Sequence, residues 1–249
     1  MNSSQLLGSQ TAKNGFLNED DIVAKFNNWQ IDNDVRTWLT IMQYDFNEIE
    51  YVKAMKIINS KTDVQAQITV KLKEAIDAQN IQVKLVSNLK GFNQIDKRWI
   101  NKYIELWNIP ESISYILKRF TGDIKPTIKN PRDKRRMFAN EFTEDEQRHL
   151  IDWLENHKSL IVADILKGRG QLAAEWMLVA QKLKNNSRWI LVAMNFCMNH
   201  YSQGPIEITK RGTIKIGKIT MQRKGGDGGR ITANMLQFKI NPAELFEYA

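Results

Sequence analysis

The chain has 249 residues, 42% of them hydrophobic, and 36 Lys and Arg against 28 Asp and Glu give a formal net charge of +8. Such a composition excludes a disordered chain, since it supplies enough apolar side chain for a sizeable core, and its positive excess favours a polyanionic partner. The single cysteine, Cys197, excludes an internal disulfide.

In chain order, Asn18 before Glu19, Asp20 and Asp21 reads as a cap and an acidic first turn, and Ile22, Val23, Phe26 and Trp29 then recur at helical spacing. Further helices are predicted over 34–43 and 46–58. Two strands follow between Thr62 and Asn88: Val64, Ala66, Ile68, Val70 and Leu72 alternate with Gln65, Gln67, Thr69 and Lys71, and a second apolar run begins at Ile81. Helices are expected over 94–107 and behind Pro110, which suits a first helical position. The segment GDIKPTIKNPRDKRR, 122–136, reads as a long basic connection. Thr143 and Glu146 form a capping box for a helix to His157, another helix spans 158–167 before Gly168, and 174–183 reads as a strand. After a helix over 188–201, short strands at 206–208, 213–216, 219–222 and 231–240 are joined by KRG and GGDGG turns. These elements predict a mixed α/β fold in one domain, with its core over 15–120 and a β-hairpin-rich part over 205–249.

The strand pair carries residues that are costly to bury. Gln82 and Lys84 share one strand face while Ile81, Val83 and Leu85 take the other, and Asp63 opens the neighbouring strand. An acid, an amide oxygen and an amine at one sheet edge suit phosphodiester hydrolysis. Mg²⁺ would take Asp63, the Gln82 oxygen and the Val83 carbonyl, and Lys84 would position or deprotonate the attacking water. The alternative is a turn cap at Asp63 and a solvated face at Gln82 and Lys84. Asp227 with Gln237 and Lys239 repeats the D-x(n)-Q-x-K pattern, but its acid sits between glycine pairs, where a flexible turn holds a ligand poorly.

The flanks sharpen this choice. The order of helix with an acid, strand with an acid, strand with Q-x-K, then helix resembles the PD-(D/E)XK nuclease core. The segments GFLNEDDIVAKFNNW, IQVKLVSNLKGFNQIDKRW, DKRRMFANEF, ILKGRGQLAAEWMLVAQK and QRKGGDGGRITANMLQFKINPAELF resemble the HinP-type type II restriction endonucleases, which cut GCGC. That resemblance implies a central mixed sheet flanked by helices, a catalytic set of Asp63, Gln82 and Lys84, and a cognate DNA methyltransferase in the same system. Thr62 stands where the family is expected to have Ser, which keeps the hydroxyl. Glu19 would supply an accessory acid from the first helix, although helix-dipole stabilisation explains it equally well.

For double-stranded DNA, Phe92 precedes a predicted helix whose staple position is the polar Lys97, so the ring is expected to be exposed and to wedge between base steps. Asn93, Gln94 and Lys97 would then reach base edges. The 125–136 run, Arg135 in particular, and Arg223 and Lys224 would meet phosphates. Thr62, Ser87, Asn88, Lys90, Gln237 and Lys239 complete the set expected at the duplex. GGDGG lacks the GK[ST] of a P-loop, and His149, His157 and His200 show no zinc-ligand spacing. Two rivals remain: a DNA-binding module without catalysis, and a repair or junction nuclease on the same core. A homodimer is left open. The amino terminus lacks a basic start followed by an apolar run, and the longest apolar stretch is 189–194, so a soluble cytoplasmic protein is expected.

Overall fold

The computed structural model describes residues 3–57, 65–183, 186–226 and 230–248, with side chains left out at 3–9, 11–12, 65 and 186. Thr62, Asp63 and Asp227 lie outside these residues. Helices α1 (Ser3–Asn27) and α2 (Asn33–Ile41) precede strands β1 (Ile49–Ile57), β2 (Gln65–Leu72), β3 (Ile76–Val86) and β4 (Asn93–Arg98). Next come α3 (Ile100–Trp107), α4 (Glu111–Thr121), α5 (Glu144–Asn156), α6 (Lys158–Leu166), β5 (Trp176–Leu183), β6 (Asn186–Ala193) and α7 (Met194–Ser202). The chain closes through β7 (Ile206–Ile208), β8 (Ile214–Ile216), β9 (Ile219–Arg223) and β10 (Leu236–Ile240).

The described strands form two sheets. One is mixed, in the order β1-β2-β3-β5-β6, with β3 and β5 parallel and the other pairs antiparallel. The second is antiparallel, in the order β4-β10-β9-β8-β7. Two apolar clusters divide the interior. Ile22, Phe26, Trp38 and Leu39 of α1 and α2 pack on Ile68, Ile81, Val83 and Leu178, covering one face of the mixed sheet. On the other face Val86, Met177 and Val179 join α3 to α7 and the inner face of the second sheet through Tyr103, Trp107, Phe120, Met221 and Phe238. Burying each such side chain contributes about 1.5–3 kcal/mol, which is what locks the two sheets together.

Several expected elements differ. Asn18 is not a cap: α1 begins at Ser3, and Asn18 and Glu19 are buried within it. The acidic run imitates a first turn because the same carboxylates serve a mid-helix position, where Lys56 lies 2.5 Å from Asp20. The helix expected over 46–58 is β1, whose Val52 and Ala54 are buried while Tyr51, Lys53 and Met55 face out, a period of two among good helix formers. The helix over 94–107 is β4 followed by α3, since residues 93–98 pair with β10 near the far end of the chain, a contact that no local pattern reveals. The helix over 188–201 divides likewise into β6 and α7, and the strand over 231–240 into a 3₁₀ turn and β10. The capping box at Thr143 and Glu146, the left-handed Gly168 after α6 and the pair β2–β3 are as predicted.

Candidate active site and nucleic-acid interface

The pleat of β3 sets the site. Ile81 and Val83 enter the helix-covered core, so Gln82 and Lys84 project from the opposite face, against Met177 and Val179 at the same register of β5. Both polar residues are deeply buried, at 3% and 5% exposure. The Gln82 Oε1 has no hydrogen-bond partner among the described residues, an arrangement that costs about 1–3 kcal/mol. Lys84 Nζ donates to the main-chain oxygen of Gln94 at 3.2 Å, which fixes the amine beside that oxygen. Gln82 pairs with Gln65, the first described residue of β2. Asp63, two residues upstream, is outside the described set. Among the described residues no group of three or more His, Cys, Asp or Glu stands together, so a cation here would draw on the orphaned amide oxygen. That oxygen fits a hard cation, because it is a buried oxygen ligand that no donor among the described residues claims. Glu19 lies on α1, which packs on the opposite face of the sheet, with Lys56 Nζ 3.8 Å away.

Strand β4 links this edge to the second sheet. Asn93 is not a helix cap but bonds the Leu85 carbonyl at 2.8 Å, tying β4 to the end of β3. The Gln94 side chain accepts from Gln237 at 2.7 Å, and Gln237 in turn accepts from Gln222 at 3.5 Å. Since Phe238 faces the core, Gln237 and Lys239 face away from it. Lys97 pairs with Gln237 across the ladder, and burial lowers the pKa of Lys239. Gln222 joins this face opposite Gln237, and the alternation of buried Ile219 and Met221 with Thr220 and Gln222 is its signal in the sequence. Phe92 is exposed, and Lys215 Nζ sits 5.0 Å from its ring. The expectation of an exposed ring holds, but not the helix-staple argument behind it. Ser87, Asn88 and Lys90 are exposed in the turn before Phe92, where Asn88 Oδ1 accepts from the Lys90 amide.

Farther along, Arg135 makes a bidentate pair with Asp133 at 2.9 Å for each contact, and this pair holds the Asp133 carboxyl down at about 2. Arg223 is buried, donating to the Thr121 carbonyl at 2.9 Å and to Asn234 Oδ1 at 2.6 Å. Burial first, and Arg135 next, lower its pKa. Lys224 follows at the end of β9, its amide bonded to the Met235 carbonyl. Burial also pushes the Cys197 thiol up to about 12, which leaves it inert.

Comparison with known proteins bears on this geometry. The family model described as R.HinP1I restriction endonuclease matches residues 42–246, a span holding both sheets and the candidate edge. The chain belongs to the R.HinP1I restriction endonuclease family. The activity is therefore that of a site-specific endonuclease. The fold also resembles the restriction endonuclease MspI, solved in complex with its cognate DNA, at 14% identity and a TM-score of 0.64, over 96% of this chain and 93% of that one. No curated protein matches. Across the R.HinP1I family span, no described helix is long and apolar enough to cross a membrane.

Proposed function

We propose that the protein is a type II restriction endonuclease that hydrolyses double-stranded DNA with Mg²⁺ at a short palindrome, GCGC, through Asp63, Gln82 and Lys84. The observation that carries this is the Gln82 oxygen, buried and without a hydrogen-bond donor among the described residues, two residues from a buried lysine on the same face. A cation bound there would neutralise charge developing on the scissile phosphate. Asp63 and Gln82, with the Val83 carbonyl, would hold it. Lys84, steadied by the Gln94 carbonyl, would orient the attacking water and manage its proton. Glu19, carried by α1 on the opposite face of the sheet beside Lys56, takes no part in this reading.

Base readout falls to the polar face next to the amine. Gln94 and Lys97, with Gln237 and Asn93 beside them, reach base edges, while Phe92 wedges between steps. Thr62, Ser87, Asn88, Lys90 and Lys239 line the approach, and Arg135, Arg223 and Lys224 serve phosphates. Gln94 thus holds the amine through its carbonyl and reads DNA through its amide, which couples recognition to chemistry. Cognate methylation would protect the host, and a cytoplasmic location suits that task. The test is digestion of plasmid DNA with and without Mg²⁺ by wild type and Lys84→Ala. Metal-dependent cutting by wild type alone supports the reading, and cutting by both moves the site.

A further inference from the structure

A cavity of about 400 Å³ opens where α4 ends and β9 finishes, one residue past Gln222, and its cationic lining is Lys125, Lys134, Arg135, Arg223 and Arg230. No acid lines it among the described residues. Assembling five cations costs energy through mutual repulsion. Beside the cavity, the Arg136 guanidinium lies 3.8 Å from the Phe138 ring centroid, and its Nη1 is buried with no hydrogen-bond partner among the described residues. Burial first, and Arg223 next, bring the Arg136 group down to about 10. A native fold leaves few buried donors unsatisfied, and such clusters mark functional positions.

The walls are fixed rather than loose. Asn234 receives Arg223 and donates to the Gly122 carbonyl at 3.0 Å, joining β9, α4 and the 3₁₀ turn before β10. Gly122 has φ +88, and a Cβ there would come within 2.6 Å of the Arg135 carbonyl oxygen, so the backbones meet where only glycine fits. The acid nearest in sequence to Arg135 is Asp133, and its carboxylate fills the guanidinium fork at both positions. That fork binds a phosphate in the same planar, two-point fashion.

We propose that this cavity seats a phosphate oxyanion of a bound duplex, and that Asp133 is its built-in stand-in, holding the Arg135 fork until a phosphate displaces the carboxylate. The seat rests on the reading of the chain as a DNA enzyme, and it adds a residue that opposes binding. Asp133 lowers affinity for any duplex equally, so it restrains binding away from the recognition sequence, where no base contacts compensate.

The test uses a fluorescent duplex lacking GCGC, titrated by anisotropy without Mg²⁺ over a salt series, with wild type, Asp133→Asn, Arg135→Ala and the double variant. Asn retains the oxygen that accepts the Arg135 amide at 3.0 Å, so the turn survives the change. Asp133→Asn is expected to bind several-fold tighter across the salt series with the slope nearly unchanged, because Arg135 meets the phosphate in both proteins and only the competing carboxylate is lost. Arg135→Ala is expected to weaken binding and to abolish the effect of Asp133→Asn in the double variant. A parallel arm measures the melting temperature with inorganic tripolyphosphate. A rise there that needs Arg135, together with the duplex effects, supports the seat, whereas a tripolyphosphate response without any duplex effect overturns the DNA source. Unchanged duplex affinity in Asp133→Asn, in a protein that still cuts DNA, overturns the seat and leaves the nuclease reading standing. Failure of wild type to bind any duplex overturns both.

Discussion

At the scale of the residue, the proposed chemistry turns on Lys84. The residue is buried beside Val179 of β5, and its amine donates to the Gln94 carbonyl, which fixes where the charge sits. Lys84→Ala is expected to keep duplex affinity within a few-fold and to lose cleavage by about 10²–10⁴, the range of a general acid–base contribution. A single-turnover assay beside a binding titration checks it. Asp63→Asn should fail similarly in Mg²⁺, because a neutral amide holds that ion weakly, with partial recovery in Mn²⁺. Full activity of Asp63→Asn in Mg²⁺ would transfer the role to Asp227. Phe92→Leu tests the wedge. Since the ring is exposed, it should reduce the DNA bend seen by energy transfer and leave the melting temperature nearly unchanged. A large loss of stability would show a packed ring.

At the scale of elements, the proposed base readout falls on β4, whose main chain also holds the Lys84 amine. Its outward Gln94 and Lys97 are expected to lose about 1–3 kcal/mol of discrimination per contact when changed to Ala, measured as cognate against random affinity. Its inner side leans on Phe238, which meets Tyr103 and Trp107 edge-on at 5.4 and 5.9 Å. Phe238→Ala should cost about 3–5 kcal/mol of stability in a denaturant titration. The strand pair β2–β3 was legible because both its alternation and its misplaced polar residues lie within one short window. So were α2, α4, α5 and α6, whose caps and periodicity are local. Strand β4 was not legible, because its partners sit more than a hundred residues away and NQIDKR has no strand signature of its own. The Asp133–Arg135 pair was not legible for another reason: it is local, but in sequence it looks like one more stretch of a basic run. The glutamine row across β4, β10 and β9 was half visible: Gln94 and Gln237 carried the signal, while Gln222 needed the register to be known.

Across the whole molecule, charge and pH act on the fold as well as on DNA. His200 packs among Phe196, Tyr201 and Tyr248, facing Glu244 at 3.2 Å, Lys218 at 3.2 Å and Glu247, and burial is the largest influence lowering its pKa. The unfolded chain therefore takes up a proton below about 6.5 that the folded one resists. Stability contributed by this site is present above that value and declines as pH falls through it. Melting temperatures of wild type and His200→Gln between pH 7.5 and 5.5 should show a steeper decline in wild type. Parallel decline would leave the acid response to the carboxylates. The net charge of +8 bears on association with DNA rather than on fold, and it predicts binding that weakens linearly in log affinity with log salt.

The central claim is that this fold cuts duplex DNA at one short sequence, using the edge at Gln82 and Lys84. The measurement that meets it most directly is digestion of a long duplex in Mg²⁺, followed by sequencing of every fragment end, with Lys84→Ala alongside. Ends that all fall within GCGC, and an intact substrate with the variant, are the predicted result. Ends scattered without regard to sequence, or equal cutting by the variant, would contradict it.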